Sequence, residues 1–233
     1  MELILIRHAE PEWSKDGRAV DEPGLTDRGH HQAALMSRTL ADEHFDEILV
    51  SPLQRARETA IPLLAEREVE PHVLPWLAEI SSPTWDGQPD QVAIDAFDTH
   101  RNLPAHEQWA GLDGGEAVDA FGHRIESGVT DWLAARGVRR AVGHDLPLWT
   151  IAGDTDRAAR RTERVAIVAH AGTNAMMIGV LLGIAPVPWS WERLSTGHSS
   201  VTRLIPFELG GSHAYQLAAL GDLEHVPRGL RTR

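Results

Sequence analysis

Leu3-Ile4-Leu5-Ile6 is the first unbroken apolar run of the chain, and it predicts a buried strand over residues 2–7. A helical stretch opens at Thr26-Asp27-Arg28-Gly29, with Thr26 as N-cap and Ala33, Ala34, Leu35 and Leu40 as apolar positions. Glu47-Ile48-Leu49-Val50-Ser51 reads as a second strand, Pro52 follows it, and residues 53–66 read as a helix. His72-Val73-Leu74 makes a short third strand. Residues 81–115 are irregular and rich in Pro, Gly, Asp and Trp, the pattern of an insertion over a sheet. Helical periodicity returns over residues 116–135 through Val118, Phe121, Ile125, Val129 and Leu133. Residues 136–163 give no clear pattern. Arg164-Val165-Ala166-Ile167-Val168-Ala169 is the clearest buried strand and ends on His170. Gly172-Thr173-Asn174 begins an apolar helix that runs through Leu182, and residues 201–207 and 214–219 read as late strands.

Strands alternating with helices predict an α/β fold of three layers, with a mainly parallel sheet and helices on both faces. The 233 residues, 42% of them hydrophobic, suffice for one such domain over 1–233, with a cap-like insertion at about 81–135. No internal repeat is visible.

Composition narrows the function. No apolar stretch is long enough to cross a membrane, and Met1-Glu2-Leu3 lacks the basic start of a secretory signal. Cysteine is absent, which excludes disulfides and thiolate chemistry and fits a cytoplasmic location. A net charge of -12 disfavours nucleic acid and repels a phosphorylated ligand at long range. Any phosphate site must therefore be a local cluster of cations. Thirteen histidines are present, but His30 and His31 on one helix cannot aim both rings the same way. With no H-E-x-x-H pairing either, no metal site is expected.

The chemistry-bearing positions stand at strand ends. The first strand stops on Arg7-His8, the second on Ser51 with Arg55 following, and the strongest on His170. In a parallel sheet these carboxyl ends lie along one edge, where the next helices add N–H groups and positive dipole ends suited to an anion. Arginine presents a planar fork that matches phosphate oxygens, and neutral histidine can attack phosphorus.

These residues sit within longer segments. Ile6-Arg7-His8-Ala9-Glu10, Leu25-Thr26-Asp27-Arg28-Gly29-His30-His31-Gln32-Ala33 and Ser51-Pro52-Leu53-Gln54-Arg55-Ala56-Arg57-Glu58-Thr59-Ala60 come first. Leu77-Ala78-Glu79-Ile80 with Trp85-Asp86-Gly87, Gly114-Gly115-Glu116, and Val168-Ala169-His170-Ala171-Gly172 follow in order. Together they resemble the histidine phosphatase superfamily, which includes phosphoglycerate mutases. The resemblance implies that His8 attacks phosphorus and becomes phosphohistidine. It implies that Arg7, Arg55 and His170 surround the phosphoryl group and that Glu79 carries the proton for the leaving oxygen. It implies no metal and no cofactor. His8, Arg7, Arg55 and His170 are then expected in one small cluster with Glu79 at its rim, and Glu10 and Ser14 at the entrance as substrate-binding residues. Thr26 and Gly29 are assigned to capping and packing, Glu116 to structure, Ser51 to a structural role at its strand end, and Arg57 to an exposed helix face.

The chain departs from the family pattern in places. Pro11 and Ser14 stand where Thr and Asn are usual, so one or two auxiliary phosphate donors are replaced. Ala9, Ala117 and Ala171 replace other small residues. Arg139, Arg140, Arg157, Arg160 and Arg161 form either an exposed basic patch or a substrate-facing loop. The expected activity is hydrolysis of a small or medium phosphorylated metabolite. A phosphoglycerate mutase is the rival within the family, disfavoured because Arg101 is the one basic residue besides histidine in 81–115 and Tyr215 the one tyrosine. A non-catalytic phospho-ligand-binding module is the rival from another class. The pattern leaves the oligomeric state open.

Overall fold

The computed structural model describes residues 1–143, 147–151, 162–188 and 190–233. Along the chain these form β1 (Glu2–Arg7), β2 (Ser14–Lys15), β3 (Arg18–Ala19), α1 (Asp27–Thr39), β4 (Glu47–Val50), α2 (Gln54–Ala65) and β5 (His72–Val73). Then come α3 (Asp90–Arg101), α4 (Val118–Ala135), β6 (Val138–Arg140), β7 (Trp149–Ile151), β8 (Arg164–Ala169), α5 (Ala171–Leu182), α6 (Ser190–Arg193), β9 (Val201–Leu209) and β10 (Ser212–Asp222). Eight of these strands make one mixed sheet in the order β5-β4-β8-β1-β9-β10-β7-β6. β5, β4 and β8 run parallel to β1, and the remaining pairings are antiparallel. Followed across the sheet, this leaves only β9 and β7 pointing against β1.

Side-chain alternation along β1 divides the core. Leu3 and Leu5 point to one face, where they join Leu49, Val165 and Ile167 beneath Phe121, Ile125 and Leu133 of α4 and Met177 of α5. Ile4 and Ile6 point to the other, with Ile48, Val50, Ala166 and Val168 against Met36 of α1 and Ala56, Ala60 and Leu63 of α2. The result is the expected three layers. Thr26 caps α1, its hydroxyl accepting from the Gly29 N–H at 2.9 Å, with Asp27 in the first turn beside the positive dipole end. Gly210 and Gly211 join β9 to β10 with φ of 59° and 82°, the pair of positive values a tight hairpin turn needs.

Three stretches differ from the sequence expectation. Residues 81–115 contain a twelve-residue helix, α3, where an irregular segment is expected. No residue of α3 is buried, and its large apolar side chains Val92, Ile94 and Phe97 stay exposed. The expected cap boundary at 135 runs too far, because α4 belongs to the core on the sheet. Residues 138–140 and 149–151 extend the sheet at one end as two short strands, β7 beside β10 and β6 at the edge, whose few residues show no clear alternation. Arg139 and Arg140 lie exposed on β6, while Arg157, Arg160 and Arg161 lie outside the described residues. Among the described residues, no helix is long and apolar enough to cross a membrane.

At the amino ends of the central strands, two arginines and two glutamates interlock. Arg164 of β8 bonds Glu2 at 2.9 Å and also reaches Glu43, and Arg203 of β9 bonds Glu43 and Glu2. The opposite, carboxyl ends carry the site.

Candidate active site

Parallel register sets three strand ends flush. Arg7 lies opposite Ala169, and Val50 opposite Val168. The backbone ladder continues one step further, with His8 N–H donating to Ala169 O at 2.8 Å and Ser51 N–H to Val168 O at 3.0 Å. His8, His170 and Ser51 therefore emerge side by side. The His8 and His170 ring centres are 5.0 Å apart.

His8 is buried, and its Nδ1 lies 2.8 Å from Ala9 O. A carbonyl only accepts, so Nδ1 carries the proton and Nε2 keeps a free lone pair in the neutral ring. Burial, then the charges of its neighbours His170, Arg55 and Arg7, hold the ring well below the usual imidazole pKa. His170 is likewise lowered by burial and by Arg55 and Arg7, and its Nε2 lies 2.7 Å from Ser51 Oγ. Ser51, assigned a structural role at its strand end, thus holds the second histidine.

The cations flank this pair. Arg7 donates through Nη1 to Thr196 O and through Nη2 toward His198 Nε2 at 3.1 Å. Burial lowers its pKa to about 10, which leaves it charged at neutral pH. Arg55, in the first turn of α2, is buried, and its guanidinium stacks 4.7 Å from the centre of the Trp13 ring. Arg57 is exposed, as expected. Three nitrogens of this cluster, Arg7 Nε, Arg55 Nε and His170 Nδ1, are buried with no hydrogen-bond partner among the described residues. Buried polar atoms left this way are rare and call for a ligand or water. Oxygen atoms carrying negative charge would satisfy all three.

Glu79 stands at the N-terminus of α5, beside this cluster. Its carboxylate accepts from Gly172 N–H at 2.8 Å, from Thr173 N–H at 3.2 Å and from Ile80 N–H at 3.0 Å. A Cβ on Gly172 would lie 2.5 Å from Glu79 Oε1, so only glycine lets the carboxylate come this close. The loop that carries Glu79 is pinned from behind by Arg124 of α4, which donates to Trp76 O, Ala78 O and Glu79 O and pairs with Glu116.

Two expected entrance residues are engaged elsewhere. Glu10 accepts from Thr26 Oγ1 at 3.0 Å and Arg28 at 3.3 Å, and so braces the start of α1. Ser14 is exposed on β2 and donates to Asp90 of α3 at 2.6 Å, tying the β2–β3 hairpin to the inserted helix. Sequence reasoning passed over His198, Thr232 and Trp13. Their partners lie far away in sequence, and no local pattern marks them. Among the described residues, no group of three or more His, Asp or Glu side chains is gathered as a metal site would require.

The family model described as "Histidine phosphatase superfamily (branch 1)" matches residues 3–155. Phosphoserine phosphatase 1 of Hydrogenobacter thermophilus is 30% identical over 129 residues, which are 54% of this chain and 61% of the relative. The adenosylcobalamin/alpha-ribazole phosphatase of Salmonella typhimurium is 32% identical over 134 residues, 54% of this chain and 64% of the relative. The chain thus spans less than two thirds of the length of these curated relatives. The glucosyl-3-phosphoglycerate phosphatase of Mycolicibacterium vanbaalenii is 27% identical over 217 residues, 84% of each chain. Among solved structures, Bacillus stearothermophilus YhfR superposes with a TM-score of 0.69 at 23% identity, covering 97% of this chain and 99% of its own. At that identity the likeness establishes a common fold.

Proposed function

This chain belongs to the histidine phosphatase superfamily, and from that premise we propose that it hydrolyses a small or medium phosphorylated metabolite through a phosphohistidine on His8. The observation that carries the reading is the set of three unpartnered buried nitrogens around a histidine whose Nε2 is free. The phosphoryl group fits between them, its oxygens taking hydrogen bonds from Arg7, Arg55 and His170. Such donors act most strongly where charge spreads over the equatorial oxygens in the transition state.

The reaction divides into two displacements. His8 Nε2 forms a bond to phosphorus as the ester P–O bond breaks, and a proton from Glu79 passes to the leaving oxygen. Water then attacks the phosphohistidine, the N–P bond breaks, and the water proton returns to Glu79. Two features keep His8 ready as a nucleophile. Burial beside cations disfavours its protonated form, and the Ala9 carbonyl fixes the tautomer. A cytoplasmic location belongs to the same reading, supported by the metabolite substrates named for the relatives.

The test is direct. The wild-type protein is expected to hydrolyse an aryl phosphate, and His8→Ala to lose that activity. Rapid quenching without acid should trap labelled phosphate on His8. Wild-type turnover by His8→Ala removes the proposed nucleophile.

A further inference from the structure

His198 is a third buried histidine at this site, its ring centre 5.4 Å from that of His8. Its two nitrogens have fixed and different roles. Arg7 Nη2 is a donor only, so His198 Nε2, 3.1 Å away, must be the acceptor. Nδ1 then carries the proton and donates it to Thr232 Oγ1 at 2.9 Å. The same hydroxyl oxygen accepts from Gln32 Nε2 at 2.9 Å, and Gln32 Oε1 accepts from the Glu10 N–H at 2.8 Å. Gln32 Nε2 also bonds Leu230 O, and His198 N–H bonds Thr232 O at 3.1 Å. The segment that follows β10 is therefore sewn both to the loop after His8 and to the partner of Arg7.

We propose that Thr232, acting through His198, is a positioning residue that fixes the plane of the Arg7 guanidinium and so completes the phosphate clamp from behind. A guanidinium is flat, so holding Nη1 on Thr196 O and Nη2 on His198 also sets the direction of Nε. That Nε is the buried atom left for the ligand. The order of the chain of bonds matters. Arg7 and Thr232 support the same tautomer from opposite sides of the ring, and without the Thr232 acceptor that tautomer leaves its buried Nδ1–H unpaired and loses one of its two supports. With the proton on Nε2 the ring faces Arg7 donor to donor, and the fork turns away.

The inference rests on the phosphatase reading, and its test separates the two. Vanadate binding is measured by calorimetry, kcat/KM with an aryl phosphate, and stability by urea unfolding, for Thr232→Val, His198→Leu, their double variant, Thr232→Ser and His198→Gln. Thr232→Val and His198→Leu are each expected to weaken vanadate and to lower kcat/KM by about 10- to 100-fold, the value of one hydrogen bond to a charged group. Thr232→Ser and His198→Gln, which restore an acceptor at the needed place, should recover most of both. The double variant should be no worse than His198→Leu, because the two residues act in series. Wild-type vanadate binding by Thr232→Val, losses that add in the double variant, or a Thr232→Ser variant as weak as Thr232→Val each overturn the proposal. A wild-type protein that binds no vanadate overturns it as well. If the wild type binds vanadate in a Thr232-dependent way yet turns over no phosphomonoester, the positioning role stands and the phosphatase reading fails.

Discussion

In the proposed reaction His8 serves as the nucleophile because of which atom its neighbour leaves free. The Ala9 carbonyl claims the Nδ1 proton of His8, and burial among cations keeps the ring neutral. Glu79 is shaped by one missing methyl group. Gly172 lets the carboxylate rest on the first N–H groups of α5, and the added Cβ of alanine would strike it at 2.5 Å. Gly172→Ala is therefore expected to lower kcat by about tenfold or more while the protein stays folded, since moving a proton carrier by an ångström costs rate rather than stability. Urea unfolding alongside steady-state kinetics checks it, and a kcat at the wild-type level would show that Glu79 can shift freely. Glu79→Gln removes the transferable proton, and kcat should fall about 100- to 10,000-fold with vanadate affinity retained.

Elements are used differently at their two ends. The central strands carry the site at their carboxyl ends and an ion cluster at their amino ends, so stability and catalysis can be tested apart. Burial alone would raise the Glu43 pKa, but bonds and charges from Arg203 and Arg164 outweigh it and hold the carboxyl below the usual range. A depressed carboxylate contributes stability above its unfolded pKa and loses it as pH falls. Glu43→Ala leaves Arg164 and Arg203 with one shared partner, Glu2, and is expected to cost about 3 kcal/mol. Its kcat/KM should equal that of the wild type, and a large change would mean that the cluster reaches the site through β1 and β8. α3 shows the opposite case, an element held by polar stitches such as Ser14 to Asp90 rather than by a buried face.

At the scale of the whole molecule the buried histidines tie folding to pH. His8, His170 and His198 all have lowered pKa values, each first by burial, with His198 brought to about 3. Unfolding releases them to their ordinary value, so below pH 6.5 the unfolded chain binds protons that the folded chain refuses. Stability should accordingly fall with pH between about 6.5 and the folded values, by roughly 1.4 kcal/mol per pH unit for each histidine that stays neutral. Three such groups predict a loss of about 4 kcal/mol on going from neutral pH to pH 5.5, measured by urea unfolding. An unchanged unfolding free energy over that range would show that the three rings are not held neutral.

The sequence by itself determined the layers, the strand ends and the order of the family segments, because these depend on local periodicity and on residues that act next to their neighbours in the chain. Arg7-His8, Arg55 and His170 were legible for that reason, as were the Thr26 cap and the role of Glu116 as a structural residue. Tertiary structure alone decided the rest. Glu10 bonds Thr26 and Arg28 at the start of α1 and Ser14 bonds Asp90 of α3, partners that no local stretch of sequence reveals. The full length of α3 stayed hidden because no buried face marks it. His198 and Thr232 enter the site across 191 and 34 residues of sequence separation, the distances to their partners Arg7 and His198. Contacts of that range arise from strand register and from the path of the chain after β10, neither of which any short stretch of residues encodes.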